Sequence, residues 1–168
     1  DAPYFDDAFA VFSSKAGTVT VDDILGDVRA SGMQFASDGY LINGDVLTLT
    51  GGNTSTIRVG DGSTAGQSYT ATIDAILAGE TQLRKSDAGT LKLTADNEYA
   101  GGTSIEGGVV EIEKDSNLGV SGTSIALNDG TLRTVSDAQS DRTATLGSLG
   151  GTLDVLSGTT LNLTGDIT

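Results

Sequence analysis

Apolar and polar residues alternate in short bursts along most of this chain, each four or five residues long and announced by glycine. Thr90-Leu91-Lys92-Leu93-Thr94 and Val109-Val110-Glu111-Ile112-Glu113 are the clearest pair. A period of two puts successive side chains on opposite faces of a strand, so Leu91 and Leu93 share one side, as do Val110 and Ile112. The burst returns as Gly130-Thr131-Leu132-Arg133 and as Gly151-Thr152-Leu153-Asp154-Val155. Its starts fall at residues 90, 109, 131 and 152, in steps of 19, 22 and 21. A recurrence near twenty residues, carried by strands, predicts a β-solenoid. Companion strands precede the later bursts: Thr103-Ser104-Ile105-Glu106, Ser124-Ile125-Ala126-Leu127 and Ala144-Thr145-Leu146. A short, nearly constant gap from companion to main strand, with a longer and variable return, is what parallel coils require.

The first half carries the same signals at less regular spacing. Thr18-Val19-Thr20-Val21 alternates, and Val28, Met33 and Phe35 follow. Tyr40-Leu41-Ile42 leads into Asn43-Gly44, which predicts a tight turn. Val46-Leu47-Thr48-Leu49-Thr50 and Thr56-Ile57-Arg58-Val59 read as strands. Residues 69–77 form one longer apolar segment with Ala71, Ile73, Ala75 and Leu77 on a single face. Residues 1–16 stand apart, holding Tyr4, Phe5, Phe9 and Phe12. Phe5, Phe9 and Phe12 at i, i+4 and i+7 predict a short amphipathic helix. It serves either as an exposed aromatic docking patch or, as we expect, as a cap or lead-in over the first coil. The chain then divides into 1–16 and a parallel β-helix over 17–168, with its clearest repeats over 79–168. At about 21 residues and ~4.8 Å per coil, about eight coils make a rod of ~38 Å. Thr160-Leu161-Asn162-Leu163-Thr164 continues the pattern, and no capping element follows it before Thr168. An open strand edge invites aggregation, so the natural protein is expected to continue and this segment to be truncated at its C-terminal side.

Composition narrows the chemistry. Glycine is abundant at 24 residues, proline occurs once, and four Tyr and four Phe are the only aromatics, as fits many tight turns around narrow strands. The formal net charge of −14 repels phosphate backbones and argues against nucleic acid binding. No apolar run is long enough to span a bilayer. Cysteine and histidine are both absent, which removes disulfides, a Ser-His-Asp triad and His- or Cys-ligated metal from these residues. Asp6-Asp7 and Asp22-Asp23 resemble the carboxylate pairs of glycoside-cleaving enzymes, but strand neighbours point to opposite faces. Gly60-Asp61-Gly62-Ser63 lacks the further oxygen ligands of a calcium loop. No catalytic residue, cofactor site or metal site is assigned. If the main strands stack in register, Lys92, Glu111, Arg133 and Asp154 form an outward column of alternating sign.

Leu83-Arg84-Lys85-Ser86-Asp87-Ala88-Gly89-Thr90-Leu91-Lys92-Leu93, followed by Asp96-Asn97-Glu98-Tyr99-Ala100-Gly101-Gly102-Thr103, resembles the autotransporter-associated β-strand repeat. Gly107-Gly108-Val109-Val110-Glu111-Ile112 and Leu118-Gly119 complete the motif. Ser86 and Ala95 stand where that repeat usually has glycine, and Val109-Val110 replaces Thr-Leu. Residues 21–45 are similar to the segment found upstream of such repeats. The resemblance implies a right-handed parallel β-helix, the passenger of a type V secretion system, exported through a C-terminal outer-membrane β-barrel. It implies structural roles for Gly89, Leu91, Leu93, Asn97, Tyr99, Gly101, Gly102, Gly108, Val110, Ile112, Leu132 and Leu153. Asn97 is expected to brace the turn before Gly101-Gly102, and Tyr99 to cover the strand. The expected function is a non-enzymatic stalk at the cell surface or released from it. It would act in adhesion, autoaggregation or host interaction, against a host-cell or matrix surface or neighbouring copies of itself. The alternatives are a polysaccharide-acting β-helix enzyme and a trimeric phage tail-fibre segment.

Overall fold

The computed structural model describes residues 6–168. Strands β1 (Ala8–Phe12) and β2 (Thr18–Val21) make a first turn, and β3 (Val28–Phe35) and β4 (Tyr40–Gly44) a second. The third holds β5 (Leu47–Leu49), β6 (Thr54–Val59) and β7 (Thr70–Ile73), and the fourth β8 (Leu77–Gly79), β9 (Gln82–Ser86) and β10 (Thr90–Leu93). The fifth holds β11 (Glu98–Tyr99), β12 (Thr103–Ile105) and β13 (Gly108–Ile112), and the sixth β14 (Ile125–Leu127) and β15 (Gly130–Thr134). Strands β16 (Ala138–Ser140), β17 (Ala144–Leu146) and β18 (Gly151–Val155) complete the seventh, and β19 (Leu161–Leu163) opens an eighth. The pairings between these strands are parallel. The architecture is an all-β parallel solenoid.

One sheet takes a rung from each turn, in the order β18-β15-β13-β10-β7-β4-β2. Its seven rungs at ~4.8 Å spacing span ~29 Å. The starts at residues 90, 109, 131 and 152 lie directly above one another, and Thr70 continues the column one rung earlier. The other two faces merge at β3. Its first half pairs with β5 and its second half with β6, so one eight-residue strand runs around the corner that later coils break.

Inward residues form apolar columns down the axis. Leu91, Val110 and Leu132 are buried, stacked with Ala71 below and Leu153 above. Leu153 is 37% exposed, because no rung covers it. The neighbouring column runs Ile73, Leu93, Ile112, Thr134 and Val155. Glycines appear where coils turn closely past each other. Gly108 has φ +63°, and a Cβ there would lie 2.3 Å from the Gly89 carbonyl oxygen. A Cβ on Gly101 would lie 2.3 Å from the Gln82 amide nitrogen.

One local expectation needs correction, and three others take a form the sequence did not specify. The predicted N-terminal helix is strand β1 over its described part, while Tyr4 and Phe5 lie outside the described residues. Pairing with the free edge of β3 satisfies the β1 backbone and sends Phe9 and Phe12 to opposite faces. Phe12 turns inward and stacks on Phe35 at a centroid distance of 4.9 Å, whereas Phe9 lies outside over Gly32. Asn43-Gly44 ends β4 at a corner between faces, with Gly44 at φ +103°, and its strand continues into a parallel stack instead of reversing as a hairpin. Residues 69–77 hold two strands, β7 and the start of β8, bent at Asp74. Ala71, Ile73, Ala75 and Leu77 all point inward across that bend and are fully buried. Residues 160–164 do not add a main-sheet rung, since β19 pairs with β16.

Candidate interaction surfaces

The outer face of the main sheet carries a row of joined charges. Lys92 Nζ lies 2.8 Å from Glu111 Oε1, Arg133 Nη1 3.5 Å from Glu111 Oε2, and Arg133 Nε 2.7 Å from Asp154 Oδ2. Parallel register creates the row, pairing Lys92 with Glu111, Glu111 with Arg133 and Arg133 with Asp154. The hydrogen bond to Asp154 holds the Arg133 guanidinium above its usual pKa, with Glu111 adding to it. Glu111 is the more enclosed of the row's two acids, its side chain 15% exposed against 36% for Asp154.

A second polar row lies on the face of β6, β9 and β12. Arg84 donates from Nε and Nη2 to Thr56 Oγ1 at 3.1 and 2.9 Å, and its Nη1 lies 3.6 Å from Glu106 Oε2. Arg58 Nε meets Asp87 Oδ2 at 3.0 Å. At the end bearing β1 and β2, apolar side chains including Phe12, Val19, Met33 and Ile42 line a cleft of about 620 Å³. Only Thr20 and Asp22 give it polar character. It is the column interior seen from its end and carries no cluster of reactive groups.

The Asp dipeptides are turn and surface elements. Asp7 pairs with Arg29 at 3.0 Å, Asp22 Oδ1 accepts the Ile24 amide, and the Asp23 amide donates to Asp45 Oδ2. Asp61 Oδ1 accepts both the amide and the hydroxyl of Ser63, closing the glycine turn on itself. Among the described residues, no group of three or more acidic side chains is placed to hold a metal ion. No helix there is long and apolar enough to cross a membrane.

Several polar side chains point into the rod and join consecutive coils. Asn97 bonds across coils rather than within its own turn: Oδ1 accepts the Leu77 amide at 2.8 Å, and Nδ2 donates to the Asn117 carbonyl at 2.7 Å. Asn117 accepts the amides of Glu113 and Lys114, both at 3.0 Å, and donates to the carbonyls of Thr94 and Ala95. Tyr99 is fully buried, with its hydroxyl 2.8 Å from Thr103 Oγ1, and burial raises its pKa.

Lys85 is buried on the inner side of β9. Its Nζ donates to the carbonyls of Ser86, Asp87 and Gly107 at 2.9, 2.7 and 3.1 Å. Burial pushes its pKa down to about 7, against the pull of Asp87. Arg142 is also enclosed, with a side chain 0% exposed and Nε 2.9 Å from Asp115 Oδ1. Sequence reasoning missed Lys85, Asn117 and Arg142. Lys85 had a legible signal, because alternation from Leu83 places it inward. Arg142 follows β16 in a connection with no period to place it.

Residues 83–112 match the passenger-associated-transport-repeat family. Over 167 residues, 99% of its length, the chain is 53% identical to the protein named Adhesin BmaC autotransporter from Brucella suis biovar 1 (strain 1330). The chain spans 5% of that relative's length. No solved structure matches it. A parallel solenoid whose in-register strands contain this repeat, and which aligns nearly end to end with part of such a protein, is a segment of an autotransporter passenger.

Proposed function

We propose that this chain is a stalk segment of an adhesive passenger, displayed at the cell surface, and that it meets its partner along the outer rows of the rod. The observation carrying this reading is the 53% identity, sustained over nearly the whole chain, to part of a protein named as an adhesin. The geometry agrees with it. Parallel stacking aligns polar side chains in long rows, and such rows offer extended contact instead of an enclosed pocket. The reading is non-enzymatic, and its partners are a host-cell or matrix surface or neighbouring copies of the passenger.

Beads carrying the purified chain test it, scored for retention on cultured cell monolayers, on immobilised matrix proteins and on each other. Retention on at least one of these, above beads carrying an unrelated acidic solenoid of similar length, is the expected result. Equal retention on all three surfaces would refute adhesion by this segment. Release of fragments from acidic polysaccharides would favour the enzymatic reading.

A further inference from the structure

The segment 115–123 is a long excursion from strand structure, containing one short 3₁₀ turn (Asp115–Leu118). Its first part is tied to the coil beneath, where the Asn97 amide donates to the Ser116 carbonyl at 2.9 Å and Asn97 Nδ2 to the Asn117 carbonyl; further along, the Val120 amide donates to the Tyr99 carbonyl at 3.1 Å. The carbonyls of Asp115, Gly119 and Val120 are reached instead from the following coil, by Arg142. The guanidinium sends Nη1 to the Val120 carbonyl at 2.8 Å and to the Thr123 hydroxyl. Nη2 goes to the carbonyls of Asp115 and Gly119, at 3.2 and 2.8 Å, and Nε to the Asp115 carboxylate. A guanidinium has five N–H groups, and this set of acceptors uses all five.

We propose that Arg142 makes the conformation of segment 115–123 conditional on the next coil. Residues 119–123 close only when β16 and β17 are seated and bring Arg142 over them. Until then the Asp115 and Gly119 carbonyls and the Asp115 carboxylate have no protein donor, and residues 119–123 stay open to water while the strands on either side of the segment are already paired. The coupling runs both ways. Arg142 has no other acid in contact, and burying a guanidinium away from its acceptors is prohibitive, so the seventh turn cannot settle over an unformed segment. The rod therefore contains a coil-to-coil checkpoint made of one buried cation.

Hydrogen exchange read by mass spectrometry on the full chain tests this. In Arg142→Met, peptides covering 115–123 are expected to exchange at least tenfold faster than in the wild type, while those covering β9, β10 and β12 keep their protection. Arg142→Lys is expected not to restore protection, since an ammonium offers three N–H groups where five are used. Should Arg142→Met fail to fold, Asp115→Asn removes the ion pair and keeps the carbonyl contacts. It is expected to give a smaller acceleration confined to the same peptides. Unchanged exchange at 115–123, or acceleration spread evenly over the whole rod, overturns the proposal.

Discussion

Lys85 allows the sharpest quantitative test of the inner polar contacts, because its protonation and its geometry pull on stability in opposite directions. In Lys85→Met the carbonyls of Ser86, Asp87 and Gly107 lose their donor, at a cost of ~1–3 kcal/mol for unsatisfied acceptors. The same change removes a desolvated ammonium. At a single pH these effects offset, so the net sign of the mutation says little. The pH dependence separates them. The folded chain loses this proton near pH 7 and the unfolded chain near 10.5. Between those values the unfolded state binds the extra proton, so raising the pH favours the folded state. A depressed lysine therefore costs stability below pH 7, and the cost is relieved as pH climbs to 10.5. The relief amounts to ~3–5 kcal/mol at full extent. Urea unfolding followed by far-UV circular dichroism, at pH 6, 7.5, 9 and 10, measures the wild-type stability minus that of Lys85→Met. That difference is expected to rise steadily with pH. The ionisation of Tyr99 occurs in both proteins and cancels. A difference that stays flat across this range would mean that the three carbonyls hold the ammonium at an ordinary lysine pKa, and the reasoning would fail.

Three further outcomes follow from the same contacts. Glu111→Lys turns two attractions in the outer row into two repulsions at ~4.8 Å, each ~1 kcal/mol in water, and is expected to cost up to ~4 kcal/mol in urea unfolding at low salt. Most of that loss should vanish in 1 M NaCl, where the Debye length is ~3 Å, and a salt-independent cost would show that the row contributes packing and not charge. Thr134 Oγ1 is buried in the apolar column with no hydrogen-bond partner, so Thr134→Val is expected to raise stability by ~1 kcal/mol; a lower melting temperature would contradict this. Asn117→Ala removes four hydrogen bonds, two within its own loop and two to the coil beneath, and is expected to cost ~2–4 kcal/mol, with Asn117→Asp intermediate, as checked by thermal unfolding.

The stacking of the second half was legible because strand alternation and the spacing of Thr90, Val109, Thr131 and Thr152 both survive in one dimension. The first half was harder to read, since β3 passes around a corner that other coils mark with a break, so two rungs run together as one continuous strand through Gly32. The aromatic spacing of Phe5, Phe9 and Phe12 fitted a helix by coincidence. Propensity over five residues is weaker than an open strand edge waiting to be paired. Surface charges could be placed from alternation alone, as Lys92 and Glu111 were. Arg142 could not, because its acceptors belong to a loop twenty-odd residues earlier and nothing local reports their direction.

The inner polar groups also bear on a problem that the apolar columns leave open. Side chains on a strand repeat every two residues, so a rung that slips by two keeps its leucines facing inward and loses little burial. Slipped one way, Leu91 would sit beside Ile112 in place of Val110. The same slip would carry Lys85 away from the Gly107 carbonyl, Asn97 away from the Leu77 amide, and Arg142 away from Asp115. Each loss strands a buried polar or charged group, which costs several times more than a misplaced methyl. Burial holds the coils together, whereas these bonds select one alignment among several of similar burial. The outer rows depend on that choice. A two-residue slip between β10 and β13 would set Lys92 beside Val109 or Glu113 in place of Glu111, and break the continuous row down to Asp154. An extended contact surface built from one residue per coil therefore has its order fixed from inside the rod, by groups that never touch the partner.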